Sequence, residues 1–237
     1  MSSRNAAFHD GALAGVLLSP LKLAFSMALG LIAILLCAWI VDWMFVFKVW
    51  PQGIEQLREL LAQDLAHGIA LVTQQGGSAG AITAPANALY SVVFEATGIH
   101  DMGRQFADGA AMSIPDTIVR RSYVAHREGV ETAMVGTQLL GVRGAILARF
   151  APLLFLVYVV GAADGFTRRA IRRACGGRES ASLYHRAKHL QVALMATGLL
   201  IGLFWPASVD VRWIGLPLAA SLGILIRLQW AYYKKHL

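Results

Sequence analysis

The chain has 237 residues, 57% of them hydrophobic and only 15% charged, where soluble domains carry about 25% charged residues. With its positive mean hydropathy, that balance excludes an ordinary soluble domain and points to a membrane protein. The net charge of +7 does not by itself imply nucleic-acid binding, because seven of the 21 basic residues lie within 164–188 and the excess is local.

Residues 1–22 form a short mixed segment, and 23–47 supply the first span, 25 largely apolar residues. That length crosses a hydrocarbon core of about 30 Å with some tilt. Trp39, Trp43 and Trp50 gather at its far end, where indoles prefer the interface, and Asp42 is the one charge inside it. No A-x-A-like site follows, so the span is expected to be a retained anchor rather than a cleaved signal. Leu36 before Cys37 does not fit a lipoprotein signal, and Cys37 and Cys175 fall at different depths, so no disulfide is expected.

Residues 48–144 are the one large extramembrane region, with seven basic and nine acidic side chains, a sum of −2. Ile54, Leu57, Leu61, Leu65, Ile69 and Val72 recur at helical spacing, with Glu55, Arg58, Glu59 and Asp64 placed elsewhere on the wheel. The Gly-rich stretch 75–84 reads as a loop, 86–97 as a second helix ended by Gly98, and Pro115 as the start of a long helix kinked at Gly136, Gly141 or Gly144. The second span is expected at 145–163, the third at 192–205, a tight turn at 206–212, the fourth span at 213–228 and a tail at 229–237. The predicted fold is therefore all-α: a polytopic membrane protein with four transmembrane helices and a helical insertion between the first and second. The basic stretch and the Lys-Lys tail go to the cytoplasm by the positive-inside bias. Both termini then share that side, and 48–144 lies in the periplasm.

Residues 164–191 join the second and third spans as a basic hairpin. Arg168, Arg169, Arg172 and Arg173 fall at about 0, 100, 40 and 140 degrees around a helix, so they cover one broad face. Ala170, Ile171 and Ala174 lie on or near the other. Gly176-Gly177 breaks that helix, and Ser180 or Ser182 can cap the next. The candidate contact residues for a protein partner or a phosphate are Arg168, Arg169, Arg172, Arg173, Arg178, Glu179, Tyr184, His185 and Lys188. The plain alternative is that these charges only fix topology. Arginine's planar fork suits phosphate, and the same face suits anionic lipid. Beyond Phe166 and Tyr184 the stretch offers no aromatic for stacking bases, which weakens a DNA reading.

Within the membrane, Asp42 and Arg149 lie at matching depths of the first and second spans, and a structural ion pair between them is the first expectation. His185 and His189 stand four apart but lack a third ligand, so no metal is expected. No phosphate-binding loop and no G-x-S-x-G element occurs. Asp164-Gly165 lacks the second Asp-rich element that a head-group transferase needs. The chain is therefore read as non-enzymatic and without a cofactor, a lipid head-group enzyme being the disfavoured alternative.

The run Asp164-Gly165, Arg168-Arg169, Arg172-Arg173, Gly177-Arg178-Glu179-Ser180, Tyr184-His185 and Ala187-Lys188 resembles the signature of the integrating conjugative element membrane proteins. The likeness covers nearly the whole chain, from the first anchor to Lys234-Lys235, and is most specific in 164–188. It implies an accessory of type IV conjugative DNA transfer in the bacterial inner membrane. It also implies the coupling ATPase as partner, beside membrane lipids and a possible DNA contact.

Overall fold

The computed structural model describes the backbone of residues 3–107, 121–176 and 181–233, and the side chains of 22–105, 121–176 and 182–233. The chain is all-helical, with no strand among the described residues. Among the described residues, four helical stretches are long and apolar enough to cross a membrane: Lys22–Val49, Arg127–Ala174, Ser182–Phe204 and Val211–Ala231. Many large apolar side chains on them are exposed, among them Leu23, Phe25, Ile40, Phe155, Val192 and Trp213. A surface so apolar is tolerated where lipid rather than water covers it.

Helix α1 (Ser3–Met44) widens into a π-turn over Phe45–Val49. Trp50 then leaves the helix in an extended conformation ahead of Pro51, as the residue before a proline prefers. Helix α2 (Ile54–Gln74) forms where its periodicity predicts, but with a different inward face. Leu57, Leu60, Asp64, Gly68 and Leu71 are buried, while Leu61, Leu65 and Ile69 are only half-buried. Asp64, expected on the polar side, sits in the middle of the buried one. Helix α3 (Gly80–Tyr90), continued by a π-turn over Ser91–Glu95, begins inside the stretch read as a loop. Gly98, at φ 74, ends it as expected, because only glycine enters that left-handed region without strain. Helix α4 covers Ile99–Ala107, and the predicted start at Pro115 lies outside the described residues.

Helix α5 (Arg127–Ala148) is the hub. It contributes Leu139, Leu140 and the group Val142, Ala145 and Ile146 to three separate buried clusters. In these it meets α1 through Leu35 and Ala38, α2 through Leu57 and Val72, and α3 through Ile82 and Ala86. The glycines expected to kink this helix do not break it: α5 is continuous from Arg127 to Ala148. Two of them instead let neighbours come close, since a Cβ on Gly136 would strike Asp42 and one on Gly141 would stand 2.5 Å from Ala86 Cα. The chain breaks elsewhere. His126 interrupts the helix on one side, and a turn at Arg149 and Phe150 divides the expected second span on the other.

Three helices complete the fold: α6 (Ala151–Ala174), α7 (Ala181–Phe204) and α8 (Val211–Ala231). Pro152 suits the first turn of α6, where its missing N–H is no loss. Asp210 caps α8 by accepting from the Arg212 N–H at 2.9 Å. Helix α8 packs against both α6 and α7, which make little contact with each other. Gly161 and Gly165, four apart on α6, allow the closest approach: a Cβ on Gly165 would lie 2.7 Å from both the Arg227 carbonyl oxygen and Trp230 Cβ. Small residues at this spacing let membrane helices pack backbone to backbone.

Candidate functional site

The basic end of the α6–α7–α8 bundle holds those candidate contact residues that the structure describes. Helix α6 ends at Ala174, followed by Cys175 and by Gly176 at φ 70, so the predicted glycine break is present. Arg178, Glu179, Ser180 and the tail Lys234-Lys235 lie outside the described residues. Ser182 lies within α7 rather than capping it.

The four arginines do not act as one open face. The middle of the arc, Arg169 and Arg172, turns into the bundle toward the end of α8. Arg172 sets its guanidinium 4.0 Å from the centroid of Tyr232 and donates from Nη2 to the Ala231 carbonyl. Arg169 stands 5.3 Å from the centroid of Tyr233, with its Nε and Nη2 buried and without a hydrogen-bond partner among the described residues. Each cation over a ring contributes about 0.5–2 kcal/mol, more as water is excluded. Arg168 and Arg173, at the edges of the arc, are exposed, and so is Ile171 on the supposed apolar side. Arg168 pairs with Asp164 at 3.5 Å, and Asp164 also holds Arg227 of α8 at 2.5 Å.

Aromatic rings from beyond the basic stretch gather at this end. Phe166 lies 4.6 Å from Trp230 between ring centroids, Trp230 5.7 Å from Tyr233, and Tyr233 5.7 Å from Tyr184. Three of these four rings, with Arg169 and Arg172, therefore join α6 to the end of α8, and Tyr184 brings in α7. The signal available was the cluster Trp230, Tyr232 and Tyr233 closing the last span, which lies some 60 residues from the arginines it packs on. Because Arg169 and Arg172 already cover the rings of Tyr233 and Tyr232, those faces are taken. His185 is exposed and edge-on to Tyr184 at 5.2 Å, and Lys188 and His189 are exposed one turn further along. No group of three His, Cys, Asp or Glu side chains that could hold a metal occurs among the described residues.

The expected ion pair between Asp42 and Arg149 does not form. Asp42 packs against Gly136 of α5. Arg149 is exposed at the end of that helix, thirteen residues further on, roughly 20 Å at helical rise. The antiparallel run of α1 and α5 explains the mismatch. Trp43 Nε1 donates to the Gly129 carbonyl at 3.1 Å and Trp39 Nε1 to Thr137 Oγ1 at 2.9 Å, so Asp42 faces the upper half of α5 and not its end.

The cation that closes this region is Arg143. Its Nε donates to Asp64 Oδ2 at 2.7 Å, Nη1 to the Leu203 carbonyl at 3.0 Å and Nη2 to the Ala207 carbonyl at 3.4 Å. One guanidinium thus ties α5 to α2 and to the end of α7. A buried charge is tolerated only when paired and hydrogen-bonded in this way. In the sequence Asp64 stands out only as a polar residue of α2, and the one local signal for Arg143, not read above as a site, is a charge inside an apolar run.

Residues 49–234 match the family model described as IncC plasmid conjugative DNA transfer protein DtrJ-like. Comparison with curated proteins gave no match, and neither did comparison with solved structures.

Proposed function

The chain belongs to the DtrJ-like family of conjugative DNA transfer proteins, and from that premise we propose that it is a non-enzymatic inner-membrane accessory of type IV conjugation that associates with the coupling ATPase. The family match over 49–234 carries this reading. Two features support it. Four helices are long and apolar enough to cross a membrane, which suits a protein that works beside a membrane-bound machine. At one end of the bundle, Arg169 and Arg172 are spent on bracing α6 against Tyr233 and Tyr232, which leaves a stiff platform with Arg168, Arg173, His185 and Lys188 exposed on it. A stiff platform costs less entropy to dock than a loose loop. In this reading the platform and both termini face the cytoplasm, 48–144 faces the periplasm, and the chain serves an integrating conjugative element.

The test is a mating assay with the gene deleted and restored, together with co-purification of the coupling ATPase from detergent extracts. Transfer should fall on deletion and return on complementation. Retention of the ATPase through nuclease and a high-salt wash supports a packed protein interface. Retention lost with nuclease would move the platform's role to DNA, and normal transfer without the gene would end the proposal.

A further inference from the structure

A cavity of about 330 Å³ opens at the end of the bundle opposite the basic platform. It exists because α8 packs on both α6 and α7 while those two scarcely touch. The slot between them is walled by Leu154 of α6 and by Met195 and Leu199 of α7, and floored by Leu218 of α8. Its upper rim has another character. His67 and Gln74 of α2 and Asp210 and Arg212 at the start of α8 line it. His67 Nδ1 lies 2.9 Å from Ser208 Oγ, and Arg212 Nη2 donates to Gln74 Oε1 at 2.5 Å. The walls of the slot are therefore apolar, while the rim carries polar side chains from α2, Asp210 and the first turn of α8.

We propose that this cavity is a phospholipid site, taking one acyl chain in the slot and a zwitterionic head group at the rim. The volume falls at the low end of the range for small-ligand pockets, which are mostly apolar with a few placed polar groups. The rim presents both signs side by side: Arg212 Nε is 3.9 Å from Asp210 Oδ1, with both side chains about half exposed, at 48% and 46%. A guanidinium has five N–H donors, so Arg212 keeps donors for a phosphate after serving Gln74, while Asp210 faces the ammonium. Deeper in, Arg143 and Asp64 neutralise each other, so the lining has two cations and two carboxylates and no surplus to select an anionic lipid. The site rests on the membrane reading of the chain and is independent of its role in conjugation.

The full chain, purified in mild detergent, would be examined by native mass spectrometry, then stripped and re-equilibrated with phosphatidylethanolamine or phosphatidylglycerol. Wild type should retain one phospholipid and rebind phosphatidylethanolamine in preference to phosphatidylglycerol. Leu199→Trp, which fills the slot, should lower retention about tenfold or more with its melting curve unchanged, and Met195→Phe serves the same purpose if that variant fails to fold. Arg212→Ala should weaken phosphatidylethanolamine several-fold while leaving the slot open. Equal retention by folded slot-filling variants would overturn the site. Preference for phosphatidylglycerol would overturn the zwitterionic assignment.

Discussion

Arg143 and Asp64 lie 79 residues apart in sequence and meet inside the protein, Nε to Oδ2 at 2.7 Å, with only 8% and 7% of their side chains exposed. The pair decides how α2 sits on α5, because it replaces an apolar contact at the centre of the buried face of α2. Removing one partner leaves the other charge buried and uncompensated. Arg143→Met is therefore expected to cost about 3–5 kcal/mol. Adding Asp64→Leu should return much of that loss but not all, since the Leu203 and Ala207 carbonyls lose their donor at about 1–3 kcal/mol per unsatisfied group. Melting curves of the single and double variants in detergent measure the coupling, and strictly additive losses would show that the pair contributes none.

Asp42 gives the opposite expectation. It lies against Gly136 and far from Arg149, so Asp42→Ala and Arg149→Ala should add within about 0.5 kcal/mol. Gly136→Ala puts a methyl where the Asp42 carboxylate sits and is expected to destabilise by about 1–3 kcal/mol. That cost should shrink in an Asp42→Ala background. A large non-additive term between Asp42 and Arg149 would contradict the docking of α1 on α5.

The elements legible in the sequence were those with one strong, local cause. Helix α7 continues from the hairpin into the third span because no breaker interrupts it, and α6 stops at Ala174, just ahead of Gly176, because a glycine suits the left-handed turn there. The misread faces share a different cause. Periodicity put Leu61, Leu65 and Ile69 inside and Asp64 outside, and it does so whenever a buried carboxylate has a distant partner that no local window contains. The arginine arc failed similarly. Its centre packs on Tyr232 and Tyr233, so charge there marks a packing face. The glycines of α5 carry the last lesson. A glycine inside a helix reads as a weak point, yet Gly136 and Gly141 lie where another helix comes closest, and the break falls at Arg149 and Phe150 instead.

The proposed orientation rests on the charge asymmetry between the seven basic residues of 164–188 and the net −2 of 48–144. Reporter fusions at residue 100 are expected to show the periplasm, and fusions at 177 and 237 the cytoplasm. A cytoplasmic signal from residue 100 would invert the assignment and place the basic platform outside the cell.

The work of the platform can be separated from its architecture by splitting the four arginines into pairs. Arg169→Lys with Arg172→Lys keeps the charge but loses the planar guanidinium over Tyr233 and Tyr232 and the donation to Ala231. Lysine is a compact, strongly hydrated point charge that does not stack in this way. That pair is expected to lower stability by about 1–3 kcal/mol, and any loss of transfer should track the loss of folded protein. Arg168→Lys with Arg173→Lys alters the exposed edges of the arc, where the Arg168–Asp164 pair contributes little to stability. This second variant should insert, fold and accumulate as wild type. If the edges dock on a carboxylate-bearing partner, transfer and retention of the coupling ATPase should nevertheless fall several-fold, because lysine forfeits the bidentate contact. Mating frequency, membrane abundance and co-purification measured together separate the two effects. Normal transfer by the edge variant would mean that these arginines serve topology alone, and the search for the contact face would move to the exposed flank of α7 at His185 and Lys188.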